Sequence, residues 1–530
     1  MNSLINNIAP RESLSTRRSP LLWVLPVTAV SVFTVWAITS GGQALRTWLL
    51  GALLWLMALP LLVSLEAGLL AMMIFEPFRG LLRRAQYLFV DYTATDPIHV
   101  LTPLVTLLAV AVLLKTHGLG IVRKTPLAGS ISLLGLIYLV QIFNPLQGGL
   151  FIGLAGALFM LVPLIWFYFG QEVKLHFLTI ALRLIVFVGL IASLYGIYQL
   201  VFGYPAFEQY WLDNTEFYNS IAVAHVQRAL ATFSSAEEWG RYIEIGAIIA
   251  FGFGAAATRL LRRVGWLLAG AGLTVGLLLT GQRTAIFGFI LGAAVLLLLG
   301  TQTLRGLAMR AVILLLPVLL VAFLAKAPSE DEMWSKGENE KVGTLVSHAT
   351  RGTLNPAGEE SMQARLETWT YLATNVLPAR PLGAGLGAGT LSETKFNQSS
   401  DMPPIDSFII VLAIACGIPA ALLFLWILAR AMWMSMRAAR RAAVGTPEAA
   451  IARIVAALIP AIILNTFFGL TFTLYSVAPI AWLVIGWISA EELRARTVAA
   501  ESANVKQTLV SGRFTRSQAE ACATPAGAEI

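Results

Sequence analysis

Charge is scarce in this sequence. Only 12% of its 530 residues are Asp, Glu, Lys or Arg, while 57% are hydrophobic. Soluble domains carry about 25% charged residues, so burying a core away from water is not what organises this chain. The apolar residues come in long runs such as 21–39, 150–170 and 408–429. Each approaches the ~20 residues a helix needs to cross a bilayer. Cysteine is nearly missing too. Cys416 lies within an apolar run and Cys522 near the polar C-terminus, so no disulfide framework exists. The five histidines are scattered and no Cys/His metal spacing occurs, so no metal site and no cofactor are expected. A dinucleotide fingerprint is absent as well: the glycine-rich stretch 381–389 has the wrong spacing and no strand–helix unit around it.

What is present fits lipid as the solvent. In a bilayer each helix satisfies its own backbone hydrogen bonds, and the 14 tryptophans suit interfacial belts. The net charge of +8 would suggest nucleic acid as a partner in a soluble protein. Here the basic residues sit in short blocks between apolar runs and read as topology signals, so no nucleic-acid partner is expected. The expected fold is all-α: a polytopic bundle of about 12–14 membrane-spanning helices. Spans are placed near 21–39, 46–62, 63–78, 98–115, 126–143, 150–169, 180–202, 239–258, 264–281, 284–300, 308–326, 406–430, 452–470 and 471–490. The first, preceded by Arg11, Arg17 and Arg18, reads as an uncleaved span.

Basic residues fix the expected orientation. If 47–78 holds two spans, the blocks at Arg11–Arg18, Lys115–Lys124, Arg259–Arg263, Arg305–Arg310 and Arg430–Arg453 all fall in the cytoplasm. Arg79, Arg83 and Arg84 then fall outside, against the rule. This arrangement gives a cytoplasmic N-terminus (1–20), a bundle (21–490) and a disordered cytoplasmic tail (491–530). It also gives two outer loops, a smaller one at 203–238 and a large one at 326–405. Within the large loop, Ser361 can cap a helix through Leu377 that Pro378 stops. Leu366, Trp369, Ala373 and Val376 recur at helical spacing, predicting an amphipathic helix on the bilayer surface.

Four constellations carry candidate chemistry. Arg283, in Gly281–Gln282–Arg283–Thr284–Ala285, lies between two apolar runs; a charge there is costly unless it reaches water, phosphate or a partner. Arg228 leads Arg228–Ala229–Leu230–Ala231–Thr232–Phe233, followed by Glu237, Glu238 and Arg241. Arg365 and Trp369 share a helix face and precede Pro381–Leu382–Gly383–Ala384–Gly385–Leu386–Gly387, whose glycines let a backbone approach a ligand or turn with positive φ. Asp406 opens the span after the large loop, where it or Ser407 caps the helix or Asp406 serves as a general base.

In this order, these motifs resemble the O-antigen ligase and polysaccharide polymerase family of bacterial envelope membrane proteins. Gly281–Gln282–Arg283–Thr284–Ala285 is similar to that family's Ser-Arg-small segment, with Gln282 in place of Ser. Arg365 and Trp369 match its Arg-x-x-x-Trp, and Pro381–Gly387 its Pro-x-x-Gly-x-Gly. Asp406–Ser407–Phe408 stands where the family often has His-Asn, followed by Gly417–Ile418–Pro419. Arg228–Ala229 and Thr232–Phe233 resemble its arginine-bearing outer loop. The resemblance covers roughly residues 180–430.

It implies a glycosyltransferase of the bacterial inner membrane that moves a glycan from a polyprenyl-pyrophosphate donor to a glycan, lipid or protein acceptor, in assembly of lipopolysaccharide or exopolysaccharide. Arg228, Arg283 and Arg365 would clamp the pyrophosphate, and Asp406 would deprotonate the acceptor hydroxyl. Trp369, Gly383, Gly385 and Gly387 would form a substrate loop. Guanidinium groups hold phosphate bidentately and stay charged. A polymerase of the same family remains open, as does a lipid-linked glycan flippase or secondary transporter, for which Glu66 and Glu244 within spans would be pathway residues.

Overall fold

The computed structural model describes residues 42–90, 96–215, 222–223, 226–300, 345, 360–390, 405–443 and 445–510. The expected spans 21–39 and 308–326, most of the large loop and the tail beyond 510 lie outside them. The described chain is helical throughout, apart from one small hairpin of Ala222–Val223 (β1) and Val226–Gln227 (β2), with Val223 opposite Val226. Eight of the described helices are long and apolar enough to cross a membrane. The protein is an all-α polytopic membrane protein.

The run 47–78 resolves into two helices. Helix α1, Gly42–Ala58, ends in a 3-10 turn over Leu59–Leu62 that contains Pro60. Helix α2, Leu65–Ala85, starts where the Ser64 side chain accepts from the Ala67 N–H at 3.0 Å. Proline tolerates the first turn of a helix but not its interior, so Pro60 and Ser64 together divide the run. Helix α2 continues past the expected limit at 78 and carries Arg79, Arg83 and Arg84 within it.

The chain then runs up and down through α3 (Leu101–His117), α4 (Ala128–Gln141), α5 (Leu150–Leu164), α6 (Trp166–Glu172) and α7 (Leu175–Phe202). A short α8 (Ala206–Asn214) and the hairpin occupy the smaller loop. Helix α9 (Ala236–Ala256) is the axis of the bundle: nearly every residue from Ala236 to Gly254 is buried. It packs on α7 and on α10 (Leu260–Leu279), α11 (Arg283–Gly300) and α15 (Pro447–Phe467). Outward-facing leucines such as Leu136 on α4, Leu154 on α5 and Leu194 on α7 stay exposed, as lipid-facing positions do. The last helix, α16 (Ala478–Val510), lies against α6. Gly170 and Gly486 meet there with no room for a Cβ on either side, the close approach that small residues give membrane helices. Helix α16 also runs 20 residues past the expected end of the bundle at 490, so the segment 491–510, expected to be disordered, is helical. Its Arg494 and Arg496 pair with Glu491 and Glu492 one turn back, which supports a helix outside the span.

Two expectations in the second half are corrected. The helix in the large loop, α12 (Glu360–Tyr371), takes Ser361 inside it rather than as its cap. It passes through a π-turn at Leu372–Val376 into one further helical turn, Leu377–Ala379, so Pro378 does not end it. A proline ring clashes with the carbonyl four residues back, and the wider π-turn in front of Pro378 accommodates it. The span expected at 406–430 is a hairpin of α13 (Phe408–Cys416) and α14 (Ile418–Arg441). The rings of Phe408 and Phe424 lie 5.2 Å apart, whereas sixteen residues of straight helix would separate them by about 24 Å. The chain reverses at Gly417, whose φ of +88° is open to glycine and costly for other residues. Phe472 and Trp482 complete an aromatic cluster around Phe424, with centroids 5.0 and 6.1 Å from it.

Candidate functional site

The helix directions bring the start of α9, the α10–α11 turn, α12, the start of α13 and the end of α15 to one end of the bundle. This crown begins with a pinned loop. Arg84, fully buried on α2, donates from Nε to Glu208 of α8 at 2.7 Å and from its two terminal nitrogens to the carbonyls of Ala231 and Phe233 at 2.5 Å each. The Gln199 side-chain oxygen accepts from the Leu230 and Ala231 N–H groups at 3.1 and 2.7 Å, and the Tyr204 hydroxyl donates to the Arg228 carbonyl. Ala231 is held at φ +50°, the one positive φ among the described non-glycine residues. That geometry costs about 1 kcal/mol or more and persists because its surroundings over-determine it. Ser235 caps α9 by accepting from the Glu238 N–H at 3.1 Å. The Glu238 carboxylate in turn accepts from the Ser234 N–H, from Arg79 at 3.3 Å and from Ser476 at 2.8 Å.

This loop presents Arg228 to Arg283. Burial lowers the pKa of Arg228 to about 10; Glu237 opposes that shift and the like charge of Arg283 adds to it. The guanidinium therefore stays charged at any physiological pH. Arg283 is the first residue of α11, after a turn in which Gly281 has φ +66° and the Thr280 hydroxyl accepts from the Gln282 N–H at 3.1 Å. A cation at a helix N-terminus opposes the helix dipole. Arg283 thus lies within electrostatic reach of Arg228 and at the positive end of its own helix.

Arg365 and Asp406 come together at 3.5 Å, with side-chain exposures of 30% and 61%. Asp406 therefore forms an ion pair instead of capping α13, whose N-cap is Ser407 without a side-chain cap bond. Trp369, one turn beyond Arg365 on α12, packs its ring 5.9 Å from Phe468 at the end of α15. The same terminus accepts from Arg241 of α9 at the carbonyls of Asn465 (3.1 Å) and Phe468 (3.4 Å), while Thr471 accepts at 3.0 Å. Arg241 also pairs with Glu237 at 2.9 Å, and the Phe408 N–H donates to the Gly469 carbonyl at 3.1 Å. One chain of contacts therefore runs from Arg228 and Glu237 through Arg241 and the end of α15 to Trp369 and α13.

Gly383, Gly385 and Gly387, expected in a substrate loop, approach the bundle instead. The Ala384 and Gly385 N–H groups donate to the carbonyls of Ile414 and Ala415 at 2.8 and 3.0 Å, which α13 leaves free by ending at Gly417. Gln147 accepts from the Gly387 N–H at 3.0 Å, and Gln141 donates to the Leu382 carbonyl at 2.7 Å. A Cβ on Gly383 would lie 2.5 Å from the Ala415 oxygen, and one on Gly385 2.6 Å from Gln147. The run anchors the large loop to the bundle.

The charges of α2 were read from sequence as a violation of the topology rule, but the structure pairs them. Arg79 contacts Glu76 at 2.9 Å, Glu238 at 3.3 Å and the His99 ring; Arg46 and Arg83 face Asp96 at 3.3 and 3.7 Å. The only sequence signal was Glu76 and Arg79 three apart on an otherwise apolar helix face. Arg241 was noted only as part of a polar stretch, with nothing to mark its reach to α15. Glu244, a pathway residue in the transporter reading, is buried and accepts from Asn465 at 2.6 Å.

Fold and crown define a class: a multi-pass, all-α membrane protein with an arginine-rich polar end. Residues 266–425 match the family described as O-Antigen ligase. The match runs from within α10 into α14 and contains Arg283, Arg365 and Asp406 but not Arg228. The comparison with curated proteins gave no match.

Proposed function

We propose that the protein transfers a glycan from a polyprenyl-pyrophosphate donor to an acceptor hydroxyl at the crown, on the outer face of the bacterial inner membrane, with both termini in the cytoplasm. The observation that carries this reading is the placement of Arg228 against Arg283, at the same end as Arg365 and Asp406. Guanidinium groups that feel each other's charge, at the end of the bundle that also holds Arg365, favour a multivalent anion, and a pyrophosphate is one. In the step we envisage, the acceptor oxygen attacks the anomeric carbon and its proton passes to Asp406. The bond from that carbon to the pyrophosphate oxygen breaks, and the leaving polyprenyl pyrophosphate takes the electron pair. The arginines stabilise the charge that develops there. A single displacement inverts the anomeric configuration.

The test is glycan transfer in proteoliposomes holding lipid-pyrophosphate-linked glycan and acceptor, without an ion gradient. Arg283→Ala and Arg365→Ala are expected to lower the rate about 100-fold or more, and Asp406→Asn about 100-fold with donor binding retained. Undiminished transfer by the arginine variants at normal expression rejects the clamp. Transport of the intact donor with no new glycosidic bond selects the flippase reading, and chain elongation in place of transfer to a distinct acceptor selects a polymerase.

A further inference from the structure

At the opposite, basic end of the bundle, Arg183 of α7 and Arg262 and Trp266 of α10 line a groove of about 370 Å³. Both arginines are exposed, and neither makes an ion pair among the described residues. Behind them lies the buried Phe253: the Arg183 guanidinium is 5.6 Å from its ring, and the Trp266 ring, tilted by 33°, is 5.0 Å from it. The adjoining α9–α10 turn adds the positive charges of Arg259 and Arg263, the latter donating to the Ala257 carbonyl at 2.9 Å.

Arg183 is an unusual place for a charge. It follows eight residues of α7 and sits among Ile180, Phe187 and Ile191, all exposed on the lipid-facing surface. Helix α7 has 28 residues, a length of about 42 Å, which exceeds the ~30 Å hydrocarbon layer by about 12 Å. Arg183 lies about 12 Å along it from the basic end, and so reaches the level where hydrocarbon gives way to head groups. On the neighbouring helix Arg262 lies one turn nearer the basic end than Trp266. Two forked cations above an indole and a phenyl ring match one chemistry: a phosphodiester with acyl chains below it.

We propose that this groove is a binding site for an anionic phospholipid in the leaflet at the basic end, with Arg183 and Arg262 holding the phosphodiester and Trp266 and Phe253 the upper acyl chain. The site is separate from the crown and does not depend on the transfer chemistry. The charge of the groove commits the occupant to an anionic lipid over a zwitterionic one.

Native mass spectrometry of the full-length protein in detergent, titrated with phosphatidylglycerol, phosphatidylcholine or soluble glycerol phosphate, tests it. The wild type is expected to retain phosphatidylglycerol over phosphatidylcholine, and Arg183→Ala and Arg262→Ala to weaken that retention about fivefold each. Arg440→Ala, at the same end but outside the groove, is expected to leave it unchanged. Arg262 is exposed in the first turn of α10, so its variant remains informative should Arg183→Ala fail to fold. Equal retention by the double variant, equal retention of phosphatidylcholine, or glycerol phosphate binding as tightly as the lipid would each overturn the proposal.

Discussion

Two sets of arginines share the crown and are treated in opposite ways. On α2, Arg79 and Arg84 each reach a buried carboxylate within 3.3 Å, Glu238 and Glu208 respectively. Across the crown, Arg228 and Arg283 act on one another with like charge, and burial takes Arg228 further from water. The first set spends its donors on the fold and fixes where a loop lies. The second set is the one that, in the proposed function, meets the donor's pyrophosphate. The contrast separates scaffold from site within one polar region, where counting charges would merge them.

The sharpest way to break the comparison is at Arg84. Arg84→Ala leaves Glu208 buried without its partner and strips two carbonyls of their donor, so about 3–5 kcal/mol of stability should be lost, read as a fall in the thermal midpoint in detergent. Arg283→Ala should leave that midpoint within about 0.5 kcal/mol of wild type. A large loss at Arg283 and none at Arg84 would reverse the assignment. Inorganic pyrophosphate gives a smaller effect of opposite sense. At ten times its dissociation constant it should stabilise the wild type by about 1.4 kcal/mol; Arg228→Ala should lose most of this, while Arg440→Ala should keep it. Equal stabilisation of all three proteins would show that the anion binds elsewhere.

The smallest expected effect lies at the far end, where Glu492 receives Arg441, Arg496 at 3.1 Å and Arg437 at 3.8 Å. Burial pushes its carboxyl up, but the hydrogen bonds from Arg441 and Arg496 outweigh burial and hold it below the usual carboxylate value. A depressed carboxylate stabilises the fold above its unfolded pKa and loses that contribution as pH falls through the folded value. Glu492→Gln should therefore cost about 1 kcal/mol at neutral pH, since the arginines are partly exposed and screened, and progressively less in acid as the carboxylate takes up its proton. Melting curves at neutral and acidic pH check it, and a pH-independent cost would remove the ion-pair account.

Hydropathy carried most of the fold. Runs of apolar residues located the helices, and the placement of the basic blocks favoured two spans at 47–78, which the Pro60 turn and the Ser64 cap separate in the structure. The reversal at Gly417 was hidden because 408–429 is apolar on both sides of the glycine; only contact between Phe408 and Phe424 reveals the turn. The arginines of α2 misled the topology rule because their carboxylates lie 124 and 159 residues away in sequence. Of the site, Arg228, Arg283, Arg365 and Asp406 were selected by motif order, and the structure brings them to one end. The glycines at 383–387 report that a backbone comes close to something, and the structure shows the bundle as one such neighbour. Arg241 escaped because hydrogen bonds to the carbonyls of Asn465 and Phe468 leave no trace in a local pattern.

The anchored loop has a mechanical consequence. Its backbone grips Ile414 and Ala415 near one tip of α13, and Asp406 stands just beyond the other tip, with only nine helical residues between them. A helix that short is a stiff rod of about 13 Å. A displacement of the large loop would therefore swing the carboxylate as a lever swings its far arm, coupling occupancy of the loop to the position of Asp406.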